Sequence, residues 1–189
     1  MQDGIKEQKF VNGINATEFL ATIDVVAGQP ELAKMQFRAQ NKWLGGTHNC
    51  TTINEVYGAG EEHTRETSFI LHKDEPLFLL GTDMGANPVE HLLAALAGCL
   101  TTTLVYFAAA EDIKLDEVTS KVEADASLLG IFGIDENTRM GCSQIRVTFD
   151  IKSPDPRERI EELVKLAQSK SGVFDALTNK TPVSVELAN

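Results

Sequence analysis

Basic residues are scarce in this chain. Seventeen lysines and arginines stand against 28 aspartates and glutamates in 189 residues, a formal net charge of -11. Nucleic acid and anionic membrane surfaces both reward basic patches, so neither is expected as a partner. Cysteine is scarce as well: there are only Cys50, Cys99 and Cys142. An odd number of widely spaced thiols makes neither a disulfide framework nor a zinc knuckle. No metal is therefore expected, and a reducing, cytoplasmic setting is. The polar start, Met1 to Lys9, lacks an apolar core segment, so no secretory signal is expected. Walker and Rossmann glycine spacings are missing, and no cofactor is expected. Repeats and low-complexity segments are missing too. Charge itself is missing from one long stretch, Leu92 to Ala110. That stretch is about long enough to span a bilayer. It is alanine-rich, however, holds Thr101 to Thr103 and lacks basic flanks. A helix apolar all round also suits the centre of a soluble core, and that reading is adopted.

What is present fits a globular chain. Hydrophobic residues make up 42%, enough for a sizeable core, and the length suits one domain with an N-terminal extension. Residues 1–33 are expected to be a helical extension. Asn15 and Glu18 suggest a capping box, Phe19, Leu20, Ile23 and Val26 follow at helical spacing, and Gly28 and Pro30 stop the run. Residues 34–189 are expected to form an α+β domain. Met35, Phe37 and Ala39 alternate as a strand, Gly45-Gly46 turns the chain, and Thr51–Tyr57 and Arg65–Leu71 read as two more strands. Asn87, Pro88 and Glu90 carry the start signals of a helix running to about Ala110. Val118–Ala126 and Ile145–Ile151 alternate as an antiparallel pair joined by the Gly130–Gly141 loop. Asp155, Pro156 and Glu158 repeat the cap signature before Ile160, Leu163, Val164 and Ala167. A short helix within Ser169–Thr178 and a strand through Val183, Val185 and Leu187 close the chain. The order is three strands, a long helix, two strands, two helices and a strand. Strands and helices segregate, which is α+β.

The segment Asn-Pro-Val-Glu-His-Leu-Leu-Ala-Ala-Leu-Ala-Gly-Cys, Asn87 to Cys99, resembles the helix signature of the OsmC/Ohr family. Ser171-Gly172-Val173-Phe174-Asp175-Ala176-Leu177-Thr178-Asn179 with Thr181-Pro182-Val183 resembles the end of the same proteins. The likeness runs from about Phe37 to Leu187. It implies an intertwined homodimer with long central helices packed against antiparallel or mixed sheets. It also implies reduction of organic hydroperoxides. One cysteine on the central helix attacks the peroxide, a second near the chain end resolves the sulfenic acid, and an arginine and a glutamate activate the first.

Carried over by position, the resemblance gives one match and three departures. Cys99 takes the peroxidatic position. Val89 stands where the glutamate would, and Glu90, one residue on, points about 100° away around the helix. Ser171 takes the position of the resolving cysteine, and a hydroxyl cannot form a disulfide. After Gly45-Gly46 come Thr47 and His48 rather than an arginine.

Each candidate also has a plainer reading. Free cysteine is among the most buried residue types, and Cys99 can simply pack. Only a stabilised thiolate would make it a nucleophile. Glu90 suits a helix cap as well as a base. Arg38 and Arg65 are the cations available to a thiolate, yet strand arginines usually face solvent. His48 and His91 belong to no metal-spacing motif. Cys50 or Cys142 could resolve an oxidised Cys99 only within about 7 Å, Cα to Cα. The loop Gly81–Gly85 could hold an anion at the start of the long helix. The expected function is thus a one-cysteine or degenerate thiol peroxidase acting on an organic hydroperoxide with a small external thiol. The alternatives are a non-catalytic module holding a small ligand on the same dimeric scaffold, or an interaction protein using its extension and acidic surface.

Overall fold

A computed structural model describes residues 8–188, which divide into two compact units. One is Glu18–Leu92; the other combines 8–17 with 93–188.

The first unit is an antiparallel sheet. Its strands are β3 (Gln36–Phe37), β4 (Gln40–Gly45), β5 (His48–Gly58) and β6 (Glu61–Lys73). Strands β3 and β4 follow one another along one edge of β5, and β6 lies along the other. The alternation of Met35, Phe37 and Ala39 therefore starts an edge that breaks at Arg38–Ala39 and resumes. Gly45 and Gly46, both at positive φ, make the β4–β5 turn, and the Trp43 indole N–H donates to Gly46 O at 2.9 Å. Between Ile53 and Glu55 the register with β6 slips. Asn54 repairs the break: its Oδ1 accepts from Arg65 N–H at 2.9 Å and its Nδ2 donates to Ser68 Oγ at 2.9 Å.

The second unit holds the main core. It opens with a hairpin that the helical reading of the extension did not include: β1 (Phe10–Val11) pairs with β2 (Ile14–Asn15). Asn12-Gly13 makes the turn, both residues at positive φ, and the signal for it was an ordinary Asn-Gly hairpin pair. The Asn12 side chain ties this hairpin to the chain after the long helix, donating to Ile113 O (2.8 Å) and accepting from Leu115 N–H (2.9 Å). Helix α1 (Ala16–Gly28) follows the hairpin, belongs to the sheet unit from Glu18 onward, and ends at the expected glycine.

Helix α2 (Pro88–Ala110) begins in the sheet unit and runs into this one. It is long and apolar enough to cross a membrane by length and composition. Its buried stripe is Leu96, Leu100, Leu104 and Ala108, while Ala94, Ala95, Gly98 and Thr102 stay exposed. Leu104 and Ala108 join Ile113, Leu163 and Ala167 as the core, packed by Phe149 and Ile151 from the sheet. That sheet is the expected antiparallel pair, β7 (Glu117–Asp125) and β8 (Gln144–Lys152), in register from Glu117↔Lys152 to Asp125↔Gln144. A single turn of helix, α3 (Leu128–Ile131), lies in their connection. Helix α4 (Arg157–Lys170) supplies Leu163 and Ala167, and α5 (Gly172–Thr178) follows.

Two local expectations are corrected. Asp155 does not cap α4; Pro156 takes that position without a side-chain bond. The Asp155 carboxylate accepts instead from Lys114 N–H (3.0 Å) and Arg159 (2.7 Å). The terminal strand is not formed either: Val183, Val185 and Leu187 lie 82%, 92% and 97% exposed and unpaired. An isolated strand leaves its whole hydrogen-bonding edge to water, so it forms only against a partner edge.

Candidate functional site

The site grows from the junction of α4 and α5. Ser171 ends the one helix and starts the other, with extended backbone (φ -78°, ψ 116°) that turns the chain between them. It is buried, and its Oγ accepts from Phe174 N–H at 3.3 Å, capping α5. Acceptance leaves the hydroxyl proton free to point elsewhere, and it points at Cys99: Ser171 Oγ donates to Sγ at 3.1 Å. The backbone amides of Val173 and Gly172, in the first turn of α5, also favour the charged form of this sulfur. Cys99, half-buried on α2, is thus aimed at the unpaired amides that every helix start presents.

These contacts set the thiol's acidity. Burial is the largest single influence and raises its pKa. The Ser171 hydroxyl, the Val173 and Gly172 amides and, least, the Thr103 hydroxyl lower it, and together they prevail, so the thiol lies below its ordinary value. Thr103 has one hydroxyl proton and lies 2.8 Å from the Cys99 carbonyl oxygen. When that proton serves the carbonyl it cannot serve the sulfur, so Ser171 is the dependable side-chain donor.

Ser171 and Cys99 are the two sequence candidates that the fold brings into contact. The other three find partners within the sheet unit. Arg38 forks onto Glu62 with two bonds of 2.7 Å and also reaches Gln36. Arg65 donates to Asn54 O at 2.6 Å and lies over the Phe69 ring, 5.3 Å from its centroid. Glu90 completes the capping box: its carboxylate accepts from Asn87 N–H (2.8 Å), and Asn87 Oδ1 accepts from Glu90 N–H (2.9 Å). Cys50, on β5, sits opposite Lys42 and His72 in the ladder, and all three cysteines are free. His48 Nε2 meets His72 Nδ1 at 2.9 Å, and His91 Nε2 donates to His72 O at 3.1 Å. Among the described residues no group of three or more metal-ligating side chains comes together.

The glycine loop does cradle an anion, but the anion is the chain's own Asp74. Its carboxylate, 1% exposed, accepts from the Thr47 and Thr82 hydroxyls and from the N–H groups of Glu75, Thr82 and Met84. Gly81 and Gly85 allow the close approach: a Cβ would stand 1.7 Å from Glu75 O and 2.4 Å from His72 O, respectively. Sequence reasoning missed Asp74 because its donors come from three residues of the loop, Glu75, Thr82 and Met84, and from Thr47 in the β4–β5 turn. It also missed the Gly172 and Val173 amides, although a serine immediately before a short helix was the signal for them.

The profile of OsmC-like proteins matches residues 81–186, from the loop before α2 to the tail after α5. Among solved structures, an OsmC-like protein of Mycoplasma pneumoniae superposes with a TM-score of 0.57. It is 18% identical, over 75% of this chain and 86% of that one. An organic hydroperoxide resistance protein OsmC of Legionella pneumophila superposes with a TM-score of 0.53, again at 18% identity, over 77% of this chain and 92% of that one. No curated protein sequence matches the chain. With Cys99 on the matched helix and Ser171 in the matched tail, the chain belongs to the family of OsmC-like proteins.

Proposed function

We propose that the protein is a one-cysteine thiol peroxidase that reduces organic hydroperoxides, with Cys99 as nucleophile. The observation that carries this is the hydrogen bond from Ser171 Oγ to Cys99 Sγ at 3.1 Å, which with the nearby Gly172 and Val173 amides lowers the thiol's pKa. The thiolate attacks one peroxide oxygen. An S–O bond forms, the O–O bond breaks, and the alcohol leaves with a proton, so that Cys99 becomes a sulfenic acid. Ser171, in the position of the resolving cysteine, cannot form a disulfide. An external small thiol therefore condenses with the sulfenic acid, releasing water. A second thiol then frees Cys99 and leaves as a disulfide with the first. Activation here relies on neutral donors, since Glu90 serves as a cap and Arg38 and Arg65 are bonded within the sheet unit. Cys99→Ser tests the reading. Wild type treated with cumene hydroperoxide should gain one oxygen by intact mass and the variant none; an unoxidised wild type overturns it.

The working form we propose is a homodimer in a reducing, cytoplasmic setting. The exposed small-residue face of α2 and the unpaired apolar tail through Val183, Val185 and Leu187 both lack cover in the single chain. Light scattering should give twice the 20.6 kDa chain mass. A monomer at micromolar concentration would sink this part.

A further inference from the structure

Within the helix-rich unit lies a cavity of about 350 Å³, within the range of small-molecule sites. Leu96 and Leu100 of α2, Ile145 and Val147 of β8, and Phe174 and Leu177 of α5 give it an apolar body. Its polar lining includes Cys142 and Arg139. Arg139 stands out in two ways. The chain is acidic, and among the described residues the other arginines all have hydrogen-bond partners, whereas the Arg139 side chain makes no hydrogen bond and no ion pair. Its backbone is nonetheless fixed at the rim. Gly130 lies so close that a Cβ there would stand 2.2 Å from Arg139 O, and Ser143 N–H is anchored to Asp125 O at 2.8 Å. The β7–β8 connection that carries Arg139 is apolar and open to solvent: Leu128, Leu129, Ile131, Phe132, Ile134 and Met140 are all exposed.

An apolar body, an apolar approach and one unpaired guanidinium at the rim describe the complement of an anionic amphipath. Guanidinium takes a carboxylate in a two-bond fork, and the aliphatic tail replaces water in the cavity. We infer that this cavity binds a medium-chain aliphatic carboxylate, with its head on Arg139 and its tail among Leu96, Leu100, Val147 and Leu177. The inference stands apart from peroxide chemistry, because binding needs neither Cys99 nor an oxidant.

Calorimetry of the full-length protein under reducing conditions tests it, with decanoate as probe and decanol as its neutral counterpart. Decanoate should bind saturably and shield Cys142, but not Cys50, from iodoacetamide in peptide maps. Arg139→Gln, on an exposed loop, should weaken decanoate about tenfold or more and leave decanol unchanged. Val147→Phe, with its fold checked by circular dichroism, should weaken both by filling the cavity. Non-saturable decanoate binding overturns the inference, as it would if another copy of the chain covers the cavity. So does an Arg139→Gln protein that binds decanoate as tightly as wild type, or unchanged alkylation of Cys142.

Discussion

Asp74 in the sheet unit and Cys99 in the helix-rich unit are held by the same device, a cage of hydrogen-bond donors, yet the two cages do different things. Around Asp74 the hydroxyls of Thr47 and Thr82 are the strongest influences and burial is weaker, so the carboxyl is held well below the usual carboxylate range. Five donors close on it and almost none of it meets solvent. Around Cys99 the order is reversed. Burial is the largest influence, and only the sum of the donors outweighs it. Cys99 as a residue is half-buried. A saturated cage on a carboxylate fixes a loop. A smaller set of donors on a thiol favours its charged form without closing around it.

Ser171 is the place to break that comparison with the largest effect. Ser171→Ala removes the strongest donor to the sulfur and should shift the alkylation profile of Cys99 to higher pH. At neutral pH, oxidation by cumene hydroperoxide should slow by about three- to tenfold. Losing a hydrogen bond to a charged group would cost more, but the higher-pKa thiolate is a better nucleophile and recovers part of the rate. Stopped-flow rates across pH would show both. An unmoved profile would mean that the amides of Gly172 and Val173 carry the thiolate alone. Ser171→Cys asks the complementary question. With its side-chain oxygen 3.1 Å from Sγ, a sulfur there should resolve the sulfenic acid, and the oxidised protein should be two hydrogens lighter rather than one oxygen heavier.

Much of this was legible before the fold was known, for identifiable reasons. The capping box at Asn87 and Glu90 is local, so the start of α2 could be read from four residues. The β7–β8 pair could be read because both strands alternate strictly. Cys99 and Ser171 were singled out by resemblance, but not their contact, which spans 72 positions and depends on how α2 meets α5. Asp74 escaped because a lone aspartate before a proline turn reads as solvent-facing. The tail through Val183 and Leu187 alternates like a strand, yet pairing is a property of a partner edge and not of the segment.

Asp74→Asn should have the next largest effect, on stability and not on oxidation. The amide keeps the size of the carboxylate, but it brings a donor where five donors already converge. The thermal midpoint should fall by several degrees in a calorimetric scan. The pH dependence carries the sign of a depressed carboxyl. Its contribution is complete above the ordinary carboxylate range and drains away as pH falls through that range towards the lower folded value. The wild type should therefore lose stability towards acid more steeply than Asp74→Asn. Parallel acid profiles would remove Asp74 from the account.

Glu90→Ala gives the smallest effect and the sharpest separation. Glu90 holds Asn87 N–H in the first turn of α2, so its loss should cost about 1 kcal/mol in denaturant unfolding, the usual scale for a broken cap. The carboxylate it removes is the one that could be mistaken for a catalytic base. If Cys99 is activated only by Ser171, Gly172 and Val173, the rate of oxidation per folded molecule should match wild type at every pH. A rate that fell together with the cap would place Glu90 in the chemistry after all. The contrast between a cage that fixes a loop and a cage that serves a nucleophile would then no longer separate the two units.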